Sequence, residues 1–224
     1  MSDIYQIKFH SRGGQGAKTA AQILAEAAID EGKFAQAFSE YGPERSGAPM
    51  KCFLRISGEP IRVHSEIQNP DLVVIIDPTL MELAIKENEK TVKRSNNYNQ
   101  KMVKLLNGYI VNTSQAPEKI KKQLKNTCLP TGRRIYSIYT FDATKIALDK
   151  LGKNIPNMPM TGAIVGLTNL VSLDSVIKRI RERFEKKLGK ELTEKNIEAL
   201  REGYRKLKIQ NSKFKITDQN SKVI

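Results

Sequence analysis

The hydrophobic period of the chain changes twice in its first thirty residues. IYQIKFH (4–10) alternates, with Tyr5, Ile7 and Phe9 on one face and Ile4, Gln6, Lys8 and His10 on the other, as a half-buried strand requires. From Ala17 to Asp30 the apolar positions Ala20, Ile23, Leu24, Ala27 and Ala28 recur at helical spacing, and DEGK closes that element with a glycine. Between the two lies RGGQG, so the opening unit reads strand, glycine loop, helix.

FAQAFSEYG (34–42) and PMKCFLRIS (49–57) read as strands separated by the loop YGPERSGA, and EPIRVHS (59–65) reads as a further short strand after a turn at Gly58. DLVVIID (71–77) is a continuous apolar run, the pattern of a strand buried on both faces of a sheet, and it ends in DPT, where the chain must leave the sheet. Residues 82–106 predict a helix fraying into a mobile polar insertion around 86–104, after which GYIVNT (108–113) resumes as a strand. APEKIKKQLKN gives a helix with Pro117 suited to its first turn, and RRIYSIY (133–139) a strand. The stretch from Phe141 to Phe184 predicts three short helices broken at GKNIPN and at VS, the second in an apolar, small-residue run that should be buried. TEKNIEALREGYRKLK continues as a basic amphipathic helix, and the residues after Lys208 show no periodicity.

The alternation predicts an α/β fold: a single domain over 1–208, with a central parallel or mixed sheet flanked by helices, a helical C-terminal segment, and a loosely ordered basic tail at 209–224. At 224 residues the chain is long enough to bury a substantial core.

Composition narrows the chemistry. The formal net charge is +14, but it is spread over 86–104, 118–134 and 178–208 with acids interleaved, and KRIRERFEKKLGK reads as a solvated helix face laced with i,i+4 pairs. Aromatic content of 6% without tryptophan supplies few stacking platforms, and no groove-reading motif appears, which argues against a nucleic-acid partner. Cys52 and Cys128 stand far apart with no CxxC, so this chain does not assemble an iron–sulfur cluster or structural zinc site by itself. With no signal-peptide pattern and no apolar run approaching a membrane span, the expected location is the cytoplasm, without a membrane partner.

A glycine turn leading into a helix points unpaired backbone N–H groups outward beside the positive end of the helix dipole, where anions bind. Arg12 and Lys18 flank this turn, and Gln15 is placed to hydrogen-bond a ligand amide or carbonyl. The dinucleotide fingerprint fails because Thr19 stands where a third small residue is needed; the mononucleotide loop fails because Ala17 separates glycine from lysine. The competing explanation is that the glycines only let helix and sheet pack closely. The second loop holds Gly42, Pro43, Glu44, Arg45, Gly47 and Pro49; Arg45 either clamps a phosphate or carboxylate or pairs with Glu44. Asp77 ends the buried strand, as a ligand contact or as a cap for the turn beginning at Pro78. His10 and His64 lack metal-ligand spacing, and no nucleophile elbow is present, so no catalytic residue is assigned.

RGGQGAKTAAQILAEAAIDEGKFAQAFSEYGPERSGAPMKCFLRIS strongly resembles the gamma subunit, or gamma domain, of the pyruvate:ferredoxin and related 2-oxoacid:acceptor oxidoreductases. NPDLVVIIDPTL, YIVNTSQAPEKIK, FDATKIALDKLGKNIPNMPMTGAIVGL and EKNIEALREGY resemble the later blocks of that family in the same order, and PERSGAPMK is most similar to the pyruvate branch. The resemblance implies a subunit of an enzyme that converts pyruvate and coenzyme A to acetyl-CoA and carbon dioxide and passes electrons to ferredoxin or flavodoxin. It implies alpha, beta and ferredoxin-like delta partners that carry thiamine diphosphate and the iron–sulfur clusters, while the gamma portion covers the active site and helps bind coenzyme A. By position, Arg12, Gly13, Gly14, Gln15 and Gly16 then form an anion loop, Tyr41, Gly42, Pro43, Glu44, Arg45 and Gly47 a second loop at the same mouth, and Asn157 helps to shape that mouth. A free-standing nucleotide- or acyl-CoA-binding module is the alternative.

Overall fold

The chain is described here by a computed structural model covering residues 4–41, 47–94, 108–125 and 137–220. Its sheet is organised on β1 (Tyr5–Arg12), whose alternation puts Ile7 and Phe9 into the core. On one side β1 pairs antiparallel with β3 (Pro49–Ser57), which pairs antiparallel with β2 (Phe34–Tyr41). On the other side β1 runs parallel to β4 (Leu72–Ile75), followed in parallel by β5 (Gly108–Asn112) and β6 (Ser137–Phe141). The order is β2-β3-β1-β4-β5-β6, a mixed sheet.

Helices cover both faces. α1 (Ala17–Asp30), α4 (Ala143–Leu151), α5 (Asn157–Thr168) and α6 (Leu173–Asn220) gather with Ile7, Phe9, Leu54 and Val74 into the larger core cluster. α2 (Met81–Arg94) and α3 (Pro117–Lys125) pack on Val73, Ile75, Tyr109 and Ile138 on the opposite face. The chain therefore leaves β1 towards one face and β4 towards the other. These adjacent parallel strands form a topological switch point, where open α/β sheets expose their carboxyl ends to ligands.

The structure departs from the sequence pattern in three places. EPIRVHS forms no strand, because its carbonyls are taken by side chains: Gln36 Nε2 donates to Ile61 O at 3.3 Å, and the Arg55 guanidinium to Val63 O at 3.3 Å and Ser65 O at 2.6 Å. The last strand begins at Ser137 rather than at Arg133, and residues 133–136 lie outside the described residues. α6 runs to Asn220, into the segment after Lys208 where the pattern predicts no element; extending an existing helix needs no new nucleus. Within α6, Gly189 breaks the helical path at φ 79, ψ 167, which accounts for the separate helices read from the sequence. α2 ends at Arg94, and most of the expected polar insertion lies outside the described residues.

α5 is buried from Asn157 to Leu167, and its glycines let α6 come very close. A Cβ on Gly162 would collide with the Leu200 carbonyl oxygen, and one on Gly166 would lie 2.6 Å from Tyr204 O. Gly203 returns the contact, its Cα facing the Pro159 carbonyl. Before the kink, α6 buries Val176, Ile177 and Ile180 in the core it shares with α1 and adds ion pairs at the edge: Arg179 with Asp30, and Arg183 Nη1 with Glu26 Oε1 at 3.0 Å. The expected i,i+4 lacing is present as Lys178–Glu182 and Lys195–Glu191.

The α2 face of β1 and β3 carries an ionic cluster that runs from the buried Lys8 to the exposed Glu66. Lys8 Nζ lies 3.4 Å from both Glu66 and Glu87, and Lys51 Nζ lies 3.2 Å from Glu87 and 3.8 Å from Glu66. His10 stands among them at 2% exposure. Burial pushes its imidazole down to about 4, the Lys8 and Lys51 charges adding to the effect and Glu87 opposing it.

Two consequences follow for stability. Gly162→Ala puts a methyl group against backbone that has no rotamer with which to give way, and it should cost about 1–3 kcal/mol in urea denaturation. For His10, the unfolded chain takes up the proton near the ordinary value of 6.5 and the folded chain only near 4. Stability is therefore full above pH 6.5 and declines towards pH 4, by about 3 kcal/mol if the shift is fully expressed. His10→Leu should flatten that decline when denaturation midpoints at pH 7 and pH 5 are compared.

Candidate functional site at the glycine loop

β1 ends at Arg12, and the chain must turn out of the sheet to begin α1 on one face. Gly14 at φ 96 and Gly16 at φ 80 supply the left-handed backbone that this turn needs, and Gln15 N closes it on Arg12 O at 3.2 Å. Gly13 N donates to Ala48 O at 3.0 Å, tying the first loop to the end of the second. The first helical bond of α1 runs from Ala20 N to Gly16 O. Among the described residues, the amides of Gly14, Gly16, Ala17 and Thr19 have no hydrogen-bond partner. No side chain caps α1, and its first turn contains no acidic residue.

The polar side chains around this turn form a brace. Gln15 Oε1 accepts from Arg12 N at 2.8 Å, while Gln15 Nε2 donates to Asp77 Oδ2 at 2.7 Å. Arg12 donates through Nη1 to Gly47 O at 3.2 Å and through Nε and Nη2 to Thr79 Oγ1 at 3.3 and 3.1 Å; its Nε lies 3.5 Å from Asp77 Oδ2. Thr79 in turn donates its hydroxyl and its amide to Asp77 Oδ1, at 2.6 and 3.0 Å. Burial pushes the Asp77 carboxyl up, but hydrogen bonds from Thr79 and Gln15 and the charge of Arg12 outweigh it, leaving the group below its ordinary value.

These contacts alter the roles that the sequence suggested. Gln15 is engaged at both ends of its amide, and the Arg12 guanidinium is held between Gly47, Thr79 and Asp77, so both shape the mouth and neither reaches freely outward. Asp77 takes one of its two expected uses, as the cap of the 3-10 turn Pro78–Leu80, and it also anchors the loop of the neighbouring strand, a role the sequence did not suggest. Thr79 is the member that sequence reasoning missed; DPT after a buried strand is its signal, since that pattern marks a side-chain-capped turn.

Asn157 does join the site. It is 6% exposed at the start of α5, its Nδ2 donates to Gly16 O at 3.4 Å, and a Cβ on Gly16 would collide with its amide nitrogen. Gly47, at φ 88, stands beside Arg12. Tyr41 ends β2 opposite Met50. Gly42, Pro43, Glu44 and Arg45 lie outside the described residues, as does Cys128. The structure thus brings together Arg12, Gly13, Gly14, Gln15, Gly16, Gly47 and Asn157 at the carboxyl end of β1.

Cys52 is buried, shares a 3.2 Å hydrogen bond with Ser39 Oγ, and has its thiol pushed up by burial. Among the described residues no group of three or more His, Cys, Asp or Glu side chains is placed to hold a metal ion, and no helix is long and apolar enough to cross a membrane.

Comparison with known proteins fits this arrangement to a family. Residues 6–206 match the family model described as pyruvate ferredoxin/flavodoxin oxidoreductase. The chain is 44% identical over 206 residues to the pyruvate synthase subunit PorC of Thermotoga maritima, covering 91% of this chain and 95% of that protein. It is 41% identical over 204 residues to the pyruvate/ketoisovalerate oxidoreductases common subunit gamma of Pyrococcus abyssi, covering 91% and 97%. The crystal structure of the T. maritima pyruvate oxidoreductase subunit PORC superposes with a TM-score of 0.69 at 39% identity, over 91% of this chain and 96% of that one. The chain belongs to the pyruvate ferredoxin/flavodoxin oxidoreductase family, among its gamma-type subunits.

Proposed function

We propose that this chain is the gamma subunit of a pyruvate:ferredoxin or flavodoxin oxidoreductase and that its glycine loop receives the phosphates of coenzyme A over an active site completed by sister subunits. The observation that carries the reading is the uncapped start of α1. A helix of this length begins in partial positive charge, and here neither a capping side chain nor a first-turn acid neutralises it, while the amides of Gly14, Gly16, Ala17 and Thr19 have no hydrogen-bond partner among the described residues. Asp77, the carboxylate at the mouth, has its oxygens occupied by Thr79, Gln15 and Arg12, which lessens its repulsion of a phosphate.

In this reading the chain's own residues bind and orient. The brace of Arg12, Gln15, Asp77 and Thr79 fixes the turn, and Asn157 holds Gly16 from the α5 side. Coenzyme A supplies the thiol that accepts the acyl group. Thiamine diphosphate and the iron–sulfur clusters are assigned to alpha, beta and delta sister subunits, and ferredoxin or flavodoxin takes the electrons from the assembly, in the cytoplasm. The keto acid is chosen elsewhere in the complex: the P. abyssi relative is named as common to pyruvate and ketoisovalerate oxidoreductases, so one gamma subunit can serve more than one 2-oxoacid.

Gly14 offers the direct test, because a side chain there meets nothing within 4 Å, while its φ of 96 means that any L residue also strains the turn that sets the amides. Gly14→Val in the assembled enzyme should raise the KM for coenzyme A about tenfold or more and leave that for pyruvate unchanged. Unchanged coenzyme A kinetics in an intact complex would refute the loop assignment. Purified from its native cell, the chain should elute with sister subunits well above its own 25.2 kDa. Elution of an active coenzyme A binder at that mass would favour a free-standing nucleotide- or acyl-CoA-binding module instead.

A further inference from the structure

The cations of α6 are not all matched alike. Between Lys178 and Lys195 the helix carries eight lysines and arginines. Lys178, Arg179, Arg181, Arg183 and Lys195 each have a carboxylate within ion-pair distance. Lys186, Lys187 and Lys190 have none among the described residues, and these three flank Gly189, where the helix bends. Every residue from Glu185 to Leu192 is exposed, including Leu188 at 45% and Leu192 at 42%. Glu191 is taken by Lys195, which leaves Glu185 as the one carboxylate of that stretch without an ion pair among the described residues.

This elbow is held in shape from both sides. Phe184 packs against the core before it, and Ile197 is buried after it. Across the bend, Arg181 Nε and Nη2 donate to the two carboxylate oxygens of Glu194 at 3.0 and 3.4 Å, and the buried Thr193 donates its hydroxyl to Gly189 O at 2.8 Å. At φ 79 the bend uses a backbone conformation that glycine adopts without strain, and nothing lies within 4 Å of where a side chain would stand. Three unmatched positive charges and two apolar side chains are therefore carried into solvent on a backbone with little freedom left to lose on contact.

That combination selects a partner. An apolar centre within a charged rim is the anatomy of a protein–protein contact, and unmatched cations call for carboxylates opposite. A second copy of the elbow would bring lysines against lysines. Glu185–Leu192 offers a nucleic acid neither an aromatic ring nor an arginine fork, and a lipid surface needs one continuous apolar helix face, which the bend interrupts.

We infer that the elbow at Gly189 docks on an acidic face of a sister subunit, which covers Leu188 and Leu192 and sets carboxylates opposite Lys186, Lys187 and Lys190. This rests on the reading of the chain as one subunit of an assembly. Apolar side chains held out on a rigid bend suit a contact that is made once and kept, so the surface belongs to assembly and not to the passing electron carrier.

The test is lysine acetylation by acetic anhydride, read by mass spectrometry on the assembled enzyme and on the isolated full-length chain. Lys186, Lys187 and Lys190 should be modified about tenfold more slowly in the assembly, while Lys8, 7% exposed, should be slow in both. When an unsubstituted chain and a Lys186→Glu, Lys187→Glu, Lys190→Glu variant compete for the same sister subunits, the variant should be incorporated about tenfold less, and the difference should shrink in 1 M salt, where the screening length falls to about 3 Å. Leu188→Ser with Leu192→Ser should lower incorporation at either salt concentration. All five positions are exposed, so thermal unfolding of the variant chains should match that of the unsubstituted one. Equal acetylation in assembly and isolated chain, or equal incorporation of the charge-reversed chain, overturns the docking surface while leaving the subunit reading intact. Protection that appears only when ferredoxin or flavodoxin is added assigns the elbow to the carrier and also overturns it. A chain that never leaves its own 25.2 kDa in the presence of the sister subunits overturns both readings.

Discussion

The arrangement at the carboxyl end of the sheet depends on one carboxylate. Asp77 gathers the hydroxyl and amide of Thr79, the side-chain amide of Gln15 and the charge of Arg12. Those donors come from the ends of two neighbouring parallel strands whose chains depart to opposite faces, so the gap between them would otherwise open to water. Charge-assisted hydrogen bonds around an anion are short and directional, and several on one group fix its neighbours together. The glycine turn then inherits a defined shape although glycine itself contributes no side-chain contact. The same brace carries order outward to Gly47 through the third arm of the Arg12 guanidinium.

Close packing on the other side completes the frame. Asn157 begins α5 against Gly16, and α5 is held in place by the glycine contacts that seat it on α6. The loop is therefore positioned from the sheet by hydrogen bonds and from the helices by van der Waals contact. This arrangement gives the turn little freedom, so the amides of Gly14, Gly16, Ala17 and Thr19, which have no partner among the described residues, keep fixed positions.

Much of the fold was legible in the sequence because local period and burial agree there. β3 has the limits read from PMKCFLRIS, and α1 those read from its apolar spacing. EPIRVHS misled because alternation reports only which side chains are apolar; it does not report that Arg55, buried with neutral acceptors from Gln6, Gln36, Val63 and Ser65, takes carbonyls that a ladder would have used. The site shows the same division. Gly14 and Gly16 announced a turn because their backbone needs are local. The engagement of Arg12 and Gln15 was not legible, since their partners Asp77 and Thr79 stand some sixty positions away and meet them only once β1 and β4 are paired.

Gly189 divides α6 into two arms that meet the rest of the fold differently at the surface. Both arms bury apolar side chains in the larger core, Val176, Ile177 and Ile180 before the kink and Ile197, Leu200 and Leu207 after it; the first adds ion pairs of Arg179 and Arg183 to α1, and the second the close contacts at Gly162, Gly166 and Gly203. Dissolved salt weakens the first kind of contact and leaves the second nearly untouched. One helix thus shares a single apolar core along both arms, with Arg181 and Glu194 paired across the kink at 3.0 Å, so added salt loosens the surface ties of the helix while its buried side remains in place.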